Sequence, residues 1–312
     1  MPVFLSFHLF NFWKKEVISL RHNVLKVLAC LVIAIALIGA GCTSQEESPT
    51  EEPVRIGVVQ WDDSRATGNV FLHILDEGGH EYEIVSADLG GLYQATSQGD
   101  IDVLIQAWLP ATQASYWDQY GDSLNKAQVV SSGAKIGLAV PDYVYDSGIT
   151  TVEDLKGNAS KFDGRITGIE PGAGIMVTTE KALEEYNLEE YELYSSSTVG
   201  MATELQDKMD NEEWIVATLW RPHWTFARME GLKFLEDPKG VYGGSDNLVI
   251  LTRPGFEEDR PEFYQLIQNY EMDLSDIESI MIDIDEGQSP EEAASNWLAE
   301  NPEKYDEVLG TQ

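Results

Sequence analysis

Val54-Arg55-Ile56-Gly57-Val58-Val59-Gln60 carries a single charge, Arg55, and runs directly into Trp61-Asp62-Asp63. An apolar run of this length reads as a buried strand over 54–60. Helical spacing follows over 67–75 and a second strand over 82–89, so the chain opens as strand, helix, strand. A helical stretch over 92–97 stops at Gly99-Asp100. Residues 101–108 then form a third short apolar strand that ends in Trp108-Leu109-Pro110.

The same alternation continues. Residues 135–141 are apolar, and Thr151-Val152-Glu153-Asp154-Leu155-Lys156-Gly157 has the form of a short capped helix stopped by glycine. A strand over 165–169 enters Pro171-Gly172-Ala173-Gly174 and helical spacing through Tyr186. Strands over 191–194 and 214–219 flank a helix over 198–209, and a strand over 246–252 is placed to return the chain to its first half. From 257 onward the chain is helical and acidic, with Ser289-Pro290-Glu291-Glu292 supplying a cap, a first-turn proline and acids facing the helix dipole. The expected fold class is α/β. Two crossings imply two lobes with a cleft between them: residues 54–138 plus 247–312 as lobe 1, and 139–246 as lobe 2.

Upstream the composition changes. Lys14, Lys15, Arg21 and Lys26 precede an uncharged apolar run over 27–40, and Cys42 follows closely. The run is shorter than the roughly 20 residues of a spanning helix, so residues 1–41 read as a signal peptide. Gly39-Ala40-Gly41-Cys42 resembles a lipoprotein cleavage box with Cys42 as the lipid anchor, and residues 42–53, rich in Ser, Thr, Glu and Pro, read as a flexible tether. Cys30 and Cys42 are the only cysteines, so the folded body contains no disulfide.

The chain has 20 Lys and Arg against 54 Asp and Glu, a net charge of −34, and the leader removes more base than acid. A field of that sign repels nucleic acid and anionic lipid and favours a cationic or zwitterionic ligand.

Ligands of open α/β sheets bind beyond the carboxyl ends of strands. Trp61, Trp108 and Trp220 all fall at such positions. Aromatic faces hold a quaternary ammonium, which can donate no hydrogen bond, by cation–π attraction and dispersion. Gly174 and Ile175 sit where a glycine-rich turn meets a helix start, and their free backbone amides suit a carboxylate. Gly-Ala-Gly lacks the Lys-Ser or Lys-Thr of a nucleotide loop. His223 and Asp62 lie beside these positions as supporting residues. The histidines have no metal-ligand spacing, and Asp283, Asp285 and Glu286 lack the acid that a calcium loop needs at its twelfth position, which is Ala294. No metal, cofactor or catalytic residue is expected; an enzyme acting on methylated amines through His223, Asp62 or Asp63 would lack a nucleophile.

Gln60-Trp61-Asp62, Ala107-Trp108-Leu109-Pro110, the run from Gly168 to Met176, and Trp220-Arg221-Pro222-His223-Trp224 together resemble the glycine betaine and proline betaine substrate-binding proteins of ABC transporters. The resemblance implies a two-lobed periplasmic-binding-protein fold, type II-like, that closes over its ligand. It implies a cation cage on Trp61, Trp108 and Trp220, and a carboxylate held by the amides of Gly174 and Ile175. The family's histidine five residues after the second cage tryptophan is here Gln113, a neutral donor, so the carboxylate affinity or its pH dependence is expected to differ. The half bearing Trp61 and Trp108 comes first, one of the two orders in which the family arranges its halves. The implied partners are glycine betaine, or else choline, carnitine or proline betaine, and an ABC permease subunit at the outer face of the cell membrane. A sensory lobe presenting the same ligand to a receptor is the remaining reading.

Overall fold

The computed structural model describes residues 52–310, and Pro53–Gln312 forms one compact unit. The expected leader, Cys42 and most of the tether lie outside the described residues. Among the described residues no helix is long and apolar enough to cross a membrane.

Nine strands among these residues form a sheet in the order β2-β1-β3-β9-β4-β7-β5-β6, with β8 pairing to β4. They are β1 (Val54–Val58), β2 (Tyr82–Ser86), β3 (Val103–Leu109), β4 (Asn125–Pro141), β5 (Arg165–Thr167), β6 (Glu192–Tyr194), β7 (Ala217–Arg221), β8 (Leu232–Phe234) and β9 (Asp246–Thr252). β1 runs parallel to β2 and β3, β5 runs parallel to β6 and β7, and β9 is antiparallel to both β3 and β4. Helices α1 (Asp62–Glu77), α2 (Leu89–Gln98), α3 (Ala114–Tyr120), α4 (Gly174–Tyr186) and α5 (Thr198–Asp210) connect the strands. The architecture is the expected α/β one.

β4 joins the two halves. Asn125–Ala134 pairs with β9, and from Lys135 to Ala139 the same strand pairs with β7. Its first part was not legible as a strand because Asn125, Lys126, Gln128, Ser131 and Ser132 dilute the apolar pattern. The pairing there shifts register three times.

The lone charge of β1 is accounted for. Arg55 Nε lies 3.0 Å from Asp102 Oδ2 and its guanidinium donates to the Gly99 carbonyl at 2.8 Å, while Arg253 Nε approaches Asp102 Oδ1 at 2.7 Å. α1 begins at Asp62, earlier than the periodicity indicates, because Asp63 and Ser64 are polar residues on its buried side. Asp62 and Asp63 occupy the first turn, where the helix dipole favours negative charge. The expected capping motifs form: Thr151 and Asp154 cap a 3₁₀ turn over Val152–Leu155, and Ser289 and Glu292 bond reciprocally at the start of Pro290–Glu300.

Candidate ligand cavity

Trp61 is the N-cap residue of α1, directly behind β1. Trp108 is the penultimate residue of β3. Trp220 lies inside β7 rather than after it, because the strand begins at Ala217 and Trp214 packs instead on Phe162 at 5.2 Å between ring centres. All three tryptophans line one cavity. Ile136 stands opposite Trp220 in the β4–β7 register, so the two side chains share a face and both reach the cavity.

Trp108 owes its direction to an irregularity in β3. Val103 and Ile105 belong to the core that holds Val70 and Phe71 of α1, whereas Leu104 belongs to the core around Leu92 and Tyr93 of α2. Strict alternation would turn Trp108 toward α2. Gln106, however, has a φ of 76° and the pairing with β9 slips between Leu104 and Ala107. This bulge inserts one residue and brings Trp108 to the α1 side.

Asp63 meets it there. Its Oδ2 accepts hydrogen bonds from the Gln106 amide and from Trp108 Nε1, the latter at 3.3 Å, and its Oδ1 has no partner within the protein. The Trp220 N–H faces the same carboxyl without closing to hydrogen-bond geometry. Burial, the largest influence, pushes the Asp63 carboxyl up to about 7. Its own backbone N–H pulls the other way, the Asp62 charge adds to the rise, and the two indole N–H groups lower it. Asp63, not its neighbour, lines the cavity. Asp62 is instead a support: its Oδ2 accepts from Trp224 Nε1 at 2.9 Å, and its Oδ1 lies 3.5 Å from Arg65.

The opposite wall is made of backbone. Gly174 and Ile175 are the first two residues of α4, where N–H groups have no intrahelical acceptor, and both line the cavity. Gly174 is required by proximity, since a Cβ there would sit 2.4 Å from the Thr112 carbonyl oxygen. Thr112 is fixed in turn: Asp246 accepts from the N–H groups of Ala111 and Thr112 at 2.6 and 2.9 Å and from the Thr112 hydroxyl at 2.5 Å. Gln113, fully buried, follows. Its Oε1 accepts from the Tyr93 hydroxyl at 2.8 Å, while its Nε2 has no partner within the protein. Gln113 therefore brings a neutral donor to the cavity lining.

His223 does not line the cavity. It packs edge-on against Trp220, ring centres 4.4 Å apart at 88°. The Thr225 N–H donates to its Nδ1 at 3.2 Å, which places the proton of the neutral ring on Nε2. Burial pushes the imidazole down to about 3, so it stays uncharged at neutral pH.

The structure thus brings Trp61, Trp108, Trp220, Gly174, Ile175 and Gln113 to one cavity and places Asp62 and His223 behind it. Sequence reasoning missed Asp63, Thr112, Ile136, Ile169 and Ala173 in the lining. Among the described residues no group of three or more His, Cys, Asp or Glu could hold a metal ion. Asp285 and Glu286, set aside above as calcium ligands, lie 3.6 and 2.7 Å from Arg228.

A two-lobed α/β fold with an indole-lined cavity is the architecture of a solute-binding protein. Residues 52–300 match the family described as the substrate binding domain of ABC-type glycine betaine transport systems, and the chain belongs to that family. The family is one of transport substrate-binding domains rather than enzymes. The chain is 43% identical over 141 residues to the glycine betaine/carnitine transport binding protein GbuC of Listeria monocytogenes, a match covering 45% of this chain and 47% of that protein. It therefore spans about half the length of that relative. Lactococcal OpuAC, in its closed form complexed with glycine betaine, superposes with a TM-score of 0.78 at 34% identity, over 82% of this chain and 99% of that one. An ABC-transporter choline binding protein in complex with choline gives 0.78 at 28% identity, over 83% and 92%.

Proposed function

We propose that this protein captures glycine betaine, or a related quaternary-ammonium solute, on the outer side of the cell membrane and delivers it to the permease of an ABC transporter. The convergence of Trp61, Trp108 and Trp220 on one cavity carries the reading. Three indole faces hold the trimethylammonium group, each desolvated contact contributing up to about 2 kcal/mol. The carboxylate lies on the amides of Gly174 and Ile175, with Gln113 Nε2 as a third, neutral donor. Residues 54–138 plus 247–312 and residues 139–246 act as the two lobes. Bound solute bridges them and biases the protein toward the closed form that a permease recognises. Asp62 and His223 hold Trp224 and Trp220 in place. Lipidation at Cys42 tethers the body to the membrane through residues 42–53. One observation favours choline as a second ligand: Asp63 adds a carboxyl to the lining.

Isothermal titration with glycine betaine, choline, carnitine and proline betaine tests the reading. Saturable one-to-one binding of at least one of them is expected, weakened roughly thirtyfold or more by Trp108→Ala through loss of about 2 kcal/mol of contact. Silence from all four ligands overturns it.

A further inference from the structure

The cavity contains a titratable acid as well as its indoles. Asp63 is 1% exposed, lines the cavity, and has one oxygen held by Gln106 and Trp108 and the other without a partner. The groups around it can be named element by element. β3 presents the neutral Gln106 amide and the Trp108 indole, and β7 presents the Trp220 indole, with the uncharged His223 packed behind it. On α1 itself Asp62 acts on it as a like charge, and is engaged by Arg65 and Trp224. The donors across the cavity, at Gly174, Ile175 and Gln113, are neutral. The charge of the lining is therefore the charge of Asp63.

Two ligand classes respond differently to that charge. Each carries a quaternary ammonium, which an ionised carboxyl attracts; a betaine also brings its own carboxylate, which an ionised carboxyl repels. We propose that Asp63 determines specificity in this cavity: ionised, it favours a net-cationic solute of the choline class, and protonated, it cedes that preference to a zwitterionic betaine. The inference rests on the quaternary-ammonium reading of the cavity given above. Burial holds the carboxyl near the middle of the physiological range, so both states are accessible. The acid is protonated below that point and ionised above it, and a bound cation draws the proton off. Choline affinity therefore rises with pH, by up to about tenfold for each unit that the bound cation lowers the carboxyl's pKa. Betaine affinity changes less, because its two charges act in opposite senses.

The test is calorimetric titration of the whole protein with choline and with glycine betaine at pH values of about 5.5, 7 and 8.5, each in two buffers of different ionisation heat. The preference for choline over betaine is expected to climb about tenfold across the series, with fractional proton release on choline binding near pH 7. With Asp63→Asn the preference becomes flat in pH and the proton release disappears. Parallel pH profiles for the two ligands, absence of proton release from the wild-type protein, or an unchanged slope in the variant overturns the proposal while leaving the proposed function intact. Binding of neither ligand at any pH overturns the proposal, and silence from carnitine and proline betaine as well overturns the proposed function with it. The wild-type proton count does not depend on the variant folding.

Discussion

Gln106 is the residue on which the geometry of the cavity turns. A non-glycine residue at positive φ costs on the order of 1 kcal/mol, and here it sits mid-strand, aims Trp108 toward α1 and donates to Asp63. Asp63 adds a cost of its own. Its carboxyl rises from an ordinary 3.8 to about 7 on folding, so its contribution to stability is fully present below the ordinary value and is lost as pH rises through 7. Asp63→Asn is therefore expected to stabilise the unliganded protein at pH about 8 by on the order of 2 kcal/mol, the gain shrinking as pH falls toward 4. Thermal unfolding followed by circular dichroism across that range measures it, and a difference that does not vary with pH contradicts it. At this scale the tryptophans were legible because each sits at a strand end beside a recognisable motif. Asp63 was not: two adjacent acids at a helix start are equivalent until the helix phase is known. Nothing in Leu104-Ile105-Gln106-Ala107 marks a bulge, since the usual glycine is absent.

Among the elements, the N-terminus of α4 and the turn after β3 face each other across the cavity. Asp246, the first residue of β9, clamps that turn through Ala111 and Thr112, so Thr112 cannot yield to a side chain at position 174. Gly174→Ala is expected to hold the two walls apart and weaken betaine binding by about tenfold or more, equivalent to roughly 1.4 kcal/mol. Calorimetry gives the number directly, and an unchanged Kd contradicts the close approach. The strand-helix-strand opening, the glycine turn into α4 and the returning β9 could be read because apolar runs and capping residues bound them. The first part of β4 could not, its polar residues obscuring a strand held on one side by β9. β7 was placed early, because Trp214, Ile215 and Val216 continue the apolar pattern ahead of the paired residues.

Across the whole molecule, β4 runs unbroken from one half of the sheet to the other, and side-chain ties join the same halves. The Tyr116 hydroxyl donates to the Gly172 carbonyl at 2.7 Å, Trp224 donates to Asp62, and Arg228 pairs with Glu286. A continuous strand with a few polar contacts beside it permits hinge motion while bringing the walls together in one register. The strongly acidic composition suits solutes with a positive head group, and under the proposed function the donors at Gly174, Ile175 and Gln113 meet the other end of the ligand. A crystal structure of the protein grown with glycine betaine is the most direct test. The trimethylammonium group is expected within about 6 Å of the ring centres of Trp61, Trp108 and Trp220, and the carboxylate on the N–H groups of Gly174 and Ile175. A ligand bound elsewhere, or seated in the cavity with its ammonium turned away from the indoles, would contradict it.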